Sequence, residues 1–161
     1  MAYAGTLRGH DTVHEAVADP VVRGWVEQWW DDAARHLPLP AQEVVTYRAA
    51  LLERYQNPRI RHLLRQIAAD GSQKIPIRIL PTVRADLAQG EVAAGAARVL
   101  AAWVCHLRGR GAPVVDVAAE EFTALAAGEL GHAVARVLAR LDIDDERVRA
   151  AVSALARELG G

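Results

Sequence analysis

Lysine is almost missing from this chain: Lys74 stands alone against eighteen arginines. A GC-rich coding sequence swaps lysine for arginine wherever a generic positive charge suffices. A lysine that survives either marks a place where a compact ammonium, not a planar fork, suits the surroundings, or is an ordinary charge that the bias left in place. Cysteine is equally scarce. Cys105 has no mate for an internal disulfide, so the usual sign of export is absent. The opening MAYAGTLRGH lacks the basic region and apolar stretch of a signal peptide. The longest apolar-rich run, Val92 to Cys105, is broken by Arg98 and is too short to span a bilayer. The net charge is only -1, so neither nucleic acid nor an anionic membrane is expected as a partner. No glycine-rich nucleotide loop opens a helix after a strand. His10 and His14 are four apart but lack the intervening glutamate of a zinc helix, so no metal site is expected. Cys105 and His106 are sequence neighbours, which a helix turns away from each other, so a cysteine nucleophile is not expected either. These exclusions leave a soluble cytoplasmic domain.

What is present reads as helix. The 161 residues are 52% hydrophobic, enough to bury one core, and form a single domain over 1–161. Val22, Trp25, Val26, Trp29 and Trp30 make one helical stripe, opened by Asp19 as cap and Pro20 in the first turn. A second helix is predicted over Ala41–Tyr55, burying Leu51, Leu52 and Tyr55. Asn57-Pro58 repeats the opening signal and predicts a helix over 58–69, stopped by a left-handed Gly71. A short helix starts at Pro81. The run 92–107 is apolar on nearly all sides and predicts a central buried helix. Helices are predicted over 118–127 and 130–141, and a last one carries Val148, Val152, Leu155 and Leu159 on one face. Asp142, Asp144, Asp145 and Glu146 read as a negative helix start. Only 75–80 and 114–117 are candidates for extended chain. The predicted fold class is all-α, a multi-helix bundle.

The most informative polar segment is Asn57 to Arg84. On a 58–69 helix, Arg59, His62 and Gln66 form one polar line, and the chain beyond it delivers Lys74 and Arg78. A cation, an amide and an imidazole together suit a ligand rich in hydroxyl, keto or carboxylate oxygens. The same residues also read as an ordinary solvated face ending in a helix-stop turn. Physics alone leaves both readings open.

The segment resembles the long-chain mannitol dehydrogenase family, which spans mannitol 2-dehydrogenases, arabinitol 4-dehydrogenases and fructuronate reductases. The resemblance rests on Tyr47, Leu52, Arg54, Asn57-Pro58, His62, Gln66-Ile67-Ala68, Asp70-Gly71-Ser72-Gln73-Lys74, Pro76 and Arg78. It extends to Ala2 through Leu7, Gly9, Ala18-Asp19-Pro20, Ala102-Trp103 and the turn at 141–145. It implies the C-terminal, largely helical domain, of the kind found in 6-phosphogluconate dehydrogenase-like enzymes. In that family an N-terminal Rossmann domain binds NAD, and the helical domain shapes a polyol or sugar-acid pocket. Lys74, Gln66, His62 and Arg78 are the substrate-binding residues the resemblance implies. Gln66 and the Arg61-His62 pair look like the hexuronate-reducing branch, and the opening AYAGTL looks like the arabinitol branch. The family's Lys-x4-Asn-x2-His catalytic motif would fall just before Ala2. The expectation is therefore a substrate-side domain with no catalytic residues of its own, which meets NAD only through a separate Rossmann domain. A docking patch is expected around residues 1–10 and the DGSQK turn. The alternative is a helical interaction module that has kept the fold alone; an independent small enzyme built on Lys74 is the least favoured reading.

Overall fold

A computed structural model describes residues 1–161. Its helices are α1 (Ala2–Leu7), α2 (Val13–Ala18), α3 (Pro20–Ala34), α4 (Ala41–Tyr55), α5 (Leu64–Ala68), α6 (Gly71–Arg78), α7 (Leu80–Ala88), α8 (Ala94–Leu107), α9 (Ala119–Leu125), α10 (Leu130–Arg140) and α11 (Glu146–Glu158). There is no strand, so the all-α class holds. One isolated antiparallel bridge joins Thr12 to Leu63.

The centre is α8, as its all-round apolar pattern predicts. Eleven of its residues are buried, among them Ala96, Ala97, Ala101 and Ala102. Small side chains there let α1, α3 and α11 pack closely against it. Trp103 sits in the core against Phe122, with ring centroids 5.0 Å apart. Trp25, Trp29 and Trp30 are only partly buried and pack on the rim of the same core. Asp19 caps α3 as expected, accepting from the Val21 amide at 2.8 Å, and Asp145 caps α11 in the same way.

Four expectations are corrected. The 58–69 helix begins only at Leu64. Asn57 spends its side-chain oxygen on the Arg59 amide, closing a local turn instead of a helix. Residues 62 and 64 are then bonded to another segment: Val13 donates to the His62 carbonyl at 3.0 Å, and Leu64 donates to the Asp11 carbonyl at 2.8 Å. Arg59, His62 and Gln66 therefore do not share a helical line. The left-handed residue is Asp70 (φ 54°), not Gly71, which starts α6. The stretch 75–80 is not extended: α6 carries Pro76 inside it, and α7 starts at once behind Ile79. Finally, α4 has the predicted bounds but buries nothing fully; Leu51, Leu52 and Tyr55 are half-buried. Two short helices, α1 and α2, had no place in the sequence reading.

Candidate functional site

The informative segment forms a corner where α5 turns into α6. A five-residue helix has too few internal bonds to hold itself, so its end must be satisfied from outside. Side chains do this. The Lys74 ammonium donates to the Ala69 carbonyl at 2.6 Å and to the Ile67 carbonyl at 3.1 Å. The Tyr3 hydroxyl donates to the carbonyl between them, Ala68, at 3.1 Å. A compact ammonium fits between two carbonyls two residues apart, which gives a physical account of the one lysine. Two of its three N–H bonds are committed, leaving the third for a ligand or solvent.

The α6 side of the corner is tied down by Asp116. Its carboxylate accepts from the Ser72 amide at 2.8 Å, the Ser72 hydroxyl at 2.5 Å and the Ala118 amide at 2.9 Å. Partial burial opposes ionisation of Asp116, but the hydrogen bonds from Ser72 and Ala118 outweigh it and hold its carboxyl below the usual range. The Asp70 amide donates to the Val115 carbonyl at 2.9 Å, so the irregular 114–117 segment is stitched to the left-handed turn. Tyr3 stays a neutral donor: burial, with Asp116 and Asp70 nearby, pushes its hydroxyl pKa up.

His106 lies beneath this corner, 2% exposed, with its ring 5.1 Å from that of Tyr3. Its Nδ1 has no hydrogen-bond partner, and burial pushes its pKa below the usual imidazole value of 6.5. The unfolded chain therefore takes up a proton near pH 6.5 that the folded chain refuses. Stability from this source is complete above that pH and is lost as pH falls below it. His106→Phe is expected to flatten the loss of melting temperature between about pH 6.5 and pH 5. An unchanged slope in thermal melts would remove His106 as the cause.

The four sequence-predicted residues sit on or beside this corner but are not enclosed by it. Lys74 is half-buried and fixed; His62, Gln66 and Arg78 are exposed. Arg78 and Gln66 have no side-chain partner within the chain. A cavity of about 500 Å³ lies on one side and includes Arg61 and Arg65. A cavity of about 180 Å³ on the other side includes Ser72, Gln73 and Pro76. Neither takes in Lys74. Tyr3 and Ser72 entered the sequence analysis only among the residues that carry the resemblance, and Asp116 not at all, although all three hold the turn. The expected docking patch divides. Ala2 through Gly5 are buried, while Ile67, Ile77, Val115 and Val117 are exposed around the corner.

His10 and His14 hold separate partners, the Asp19 carboxylate and the Gln56 carbonyl. With no strand, these residues contain no strand–turn–helix cradle of the kind that holds a dinucleotide. No helix is long and apolar enough to cross a membrane.

The sequence matches the mannitol dehydrogenase C-terminal domain over residues 1–159. The chain belongs to that family. The mannitol dehydrogenase C-terminal fold is also seen in a solved relative, Pseudomonas fluorescens mannitol 2-dehydrogenase in ternary complex with NAD and D-mannitol. That structure superposes with a TM-score of 0.87 at 27% identity, covering 99% of this chain and 35% of its own. D-mannonate oxidoreductase of Escherichia coli is 35% identical over 111 residues, which is 68% of this chain and 23% of that protein. A mannitol 2-dehydrogenase of Aspergillus fumigatus is 33% identical over 133 residues, 78% of this chain and 26% of that one. The domain thus spans between 23% and 35% of the length of these relatives.

Proposed function

We propose that this mannitol dehydrogenase C-terminal domain is the substrate-side part of an NAD-dependent oxidoreductase acting on a polyol or hexuronate. The observation that supports the reading is the fixed Lys74 ammonium, with one N–H uncommitted, while Gln66 and Arg78 are exposed and have no side-chain partner within the chain. Nicotinamide supplies the hydride chemistry, from a Rossmann domain outside these residues. The chain's own groups bind and orient. Lys74 donates to a hydroxyl or keto oxygen, Gln66 both donates and accepts, and Arg78 and His62 add charge or hydrogen bonds at the rim. Exposed Ile67, Ile77, Val115 and Val117 give the partner domain an apolar surface to close over, which would exclude water from the reacting oxygens. A second reading, a helical interaction module, draws on α4, whose exposed Val45 and Tyr47 lie near Leu37 and Leu39 in sequence.

Lys74→Met keeps the length of the stem and removes the charge. Loss of one charge-assisted hydrogen bond costs roughly 1.5–3 kcal/mol, so affinity for mannitol, fructose or fructuronate is expected to fall about tenfold or more. Chemical-shift titration measures this, with circular dichroism to confirm an unchanged helix content. Equal affinity in the variant would take Lys74 out of the site.

A further inference from the structure

The cavity of about 500 Å³ beside the corner carries chemistry that the substrate reading does not use. Its walls come from three separate stretches: the end of α1, the segment before and into α5, and the loop after α8. Arg61 and Arg65 both line it, and neither has a carboxylate or carbonyl partner anywhere in the chain. Other arginines of this chain do find partners, as Arg8 does with Asp19 and Arg35 with Asp86. The one carboxylate on the cavity wall, Asp11, lies outside ion-pair range of both guanidinium groups. The cavity is therefore net positive, although the whole chain is slightly negative.

The backbone adds a donor. Gly111 sits in the wall at φ 74°, and a Cβ there would lie 2.8 Å from the Thr6 hydroxyl. Glycine lets the chain pass this close to α1. The Gly111 amide donates to no other group of the chain. The volume suits a molecule of monosaccharide size, and the lining is mostly polar.

We propose that this cavity is an anion-binding site for a small hydrophilic molecule bearing a carboxylate or phosphate, held by Arg61 and Arg65. Guanidinium groups bind such oxyanions with paired N–H bonds, and two of them exceed what the single Asp11 can neutralise. Lys74 does not line this cavity.

The test is a titration of the purified chain with inorganic phosphate, gluconate, glucose 6-phosphate and, as the neutral control, sorbitol. The expected result is saturable amide shifts at Gly9 and Gly111 with at least one anion, and none with sorbitol. The tighter of gluconate and phosphate identifies the source of the oxyanion. Arg61→Gln/Arg65→Gln, at two exposed positions, should weaken the anion about tenfold or more while the melting temperature holds. Absence of saturable shifts with every anion, equal shifts with sorbitol, or anion affinity unaffected by the double glutamine variant would overturn the proposal.

Discussion

Replacing Asp86 by alanine is expected to destabilise the domain by about 2–4 kcal/mol, lowering its melting temperature by roughly 5–15 °C. Asp86 is fully buried on α7 and accepts from Arg35 at 2.7 Å and His36 at 2.5 Å, both at the end of α3. Arg35 also reaches Asp32 at 3.1 Å. Asp32 in turn caps the start of α8, accepting from the Gly95 amide at 2.6 Å and the Ala96 amide at 3.2 Å. Three helix ends thus meet on two carboxylates. Breaking a buried pair costs about 3–5 kcal/mol when the remaining charge is trapped. Arg35 is 45% exposed and can turn to water, which lowers the figure. Asp86→Asn should fall between wild type and alanine, because the amide oxygen still accepts one bond. Chemical denaturation measures all three, and an alanine variant within about 0.5 kcal/mol of wild type would show that the clasp is not structural.

Gly71→Ala should destabilise by about 1–3 kcal/mol, against the direction of helix propensity. Alanine in a helix is ordinarily favoured over glycine by roughly 0.5–1 kcal/mol. At Gly71, however, a Cβ would lie 2.5 Å from the Tyr3 hydroxyl and would collide with the Trp103 indole nitrogen. Both rings are buried and cannot swing aside. Overpacking therefore outweighs propensity. The comparison that isolates the cause is Gly24→Ala, at an exposed position of α3, where nothing lies within 4 Å of an added Cβ. That change should stabilise by about 0.5–1 kcal/mol. Two alanine variants moving the melting temperature in the same direction would contradict the packing account.

The helices that pack on the core were legible because their apolar spacing is long and regular. The start of α4 followed from the Pro38 and Pro40 connector before it, and the burial of α8 from apolar residues on nearly all its sides. The α5 corner was not legible, because its geometry is set by distant partners. Residues 62 and 64 bond to residues 11 and 13, and Ser72 bonds to Asp116, forty-four positions away. No local pattern in Asn57 to Ala69 reports those bonds, so an apolar stripe was read as a longer helix. The short helix α2 did carry a signal: Thr12 and Glu15 form a reciprocal cap, with Thr12 accepting from the Glu15 amide at 3.3 Å and Glu15 accepting from the Thr12 amide at 3.0 Å. The arrangement of the proposed site residues was not legible. Lys74 was conspicuous by composition, yet its bonds to the end of α5 depend on a turn whose left-handed residue is Asp70.

Reconstitution with an NAD-binding N-terminal fragment of a relative tests the central claim most directly. The 161 residues and that fragment, purified apart and then mixed, would be assayed for NADH oxidation with fructuronate, fructose and related ketoses. The account predicts turnover in the mixture with at least one ketose, reduced by Lys74→Met through a raised KM, and none with the 161 residues alone. Turnover by the 161 residues unaided, or a silent mixture in which both parts are folded and associated, would contradict it.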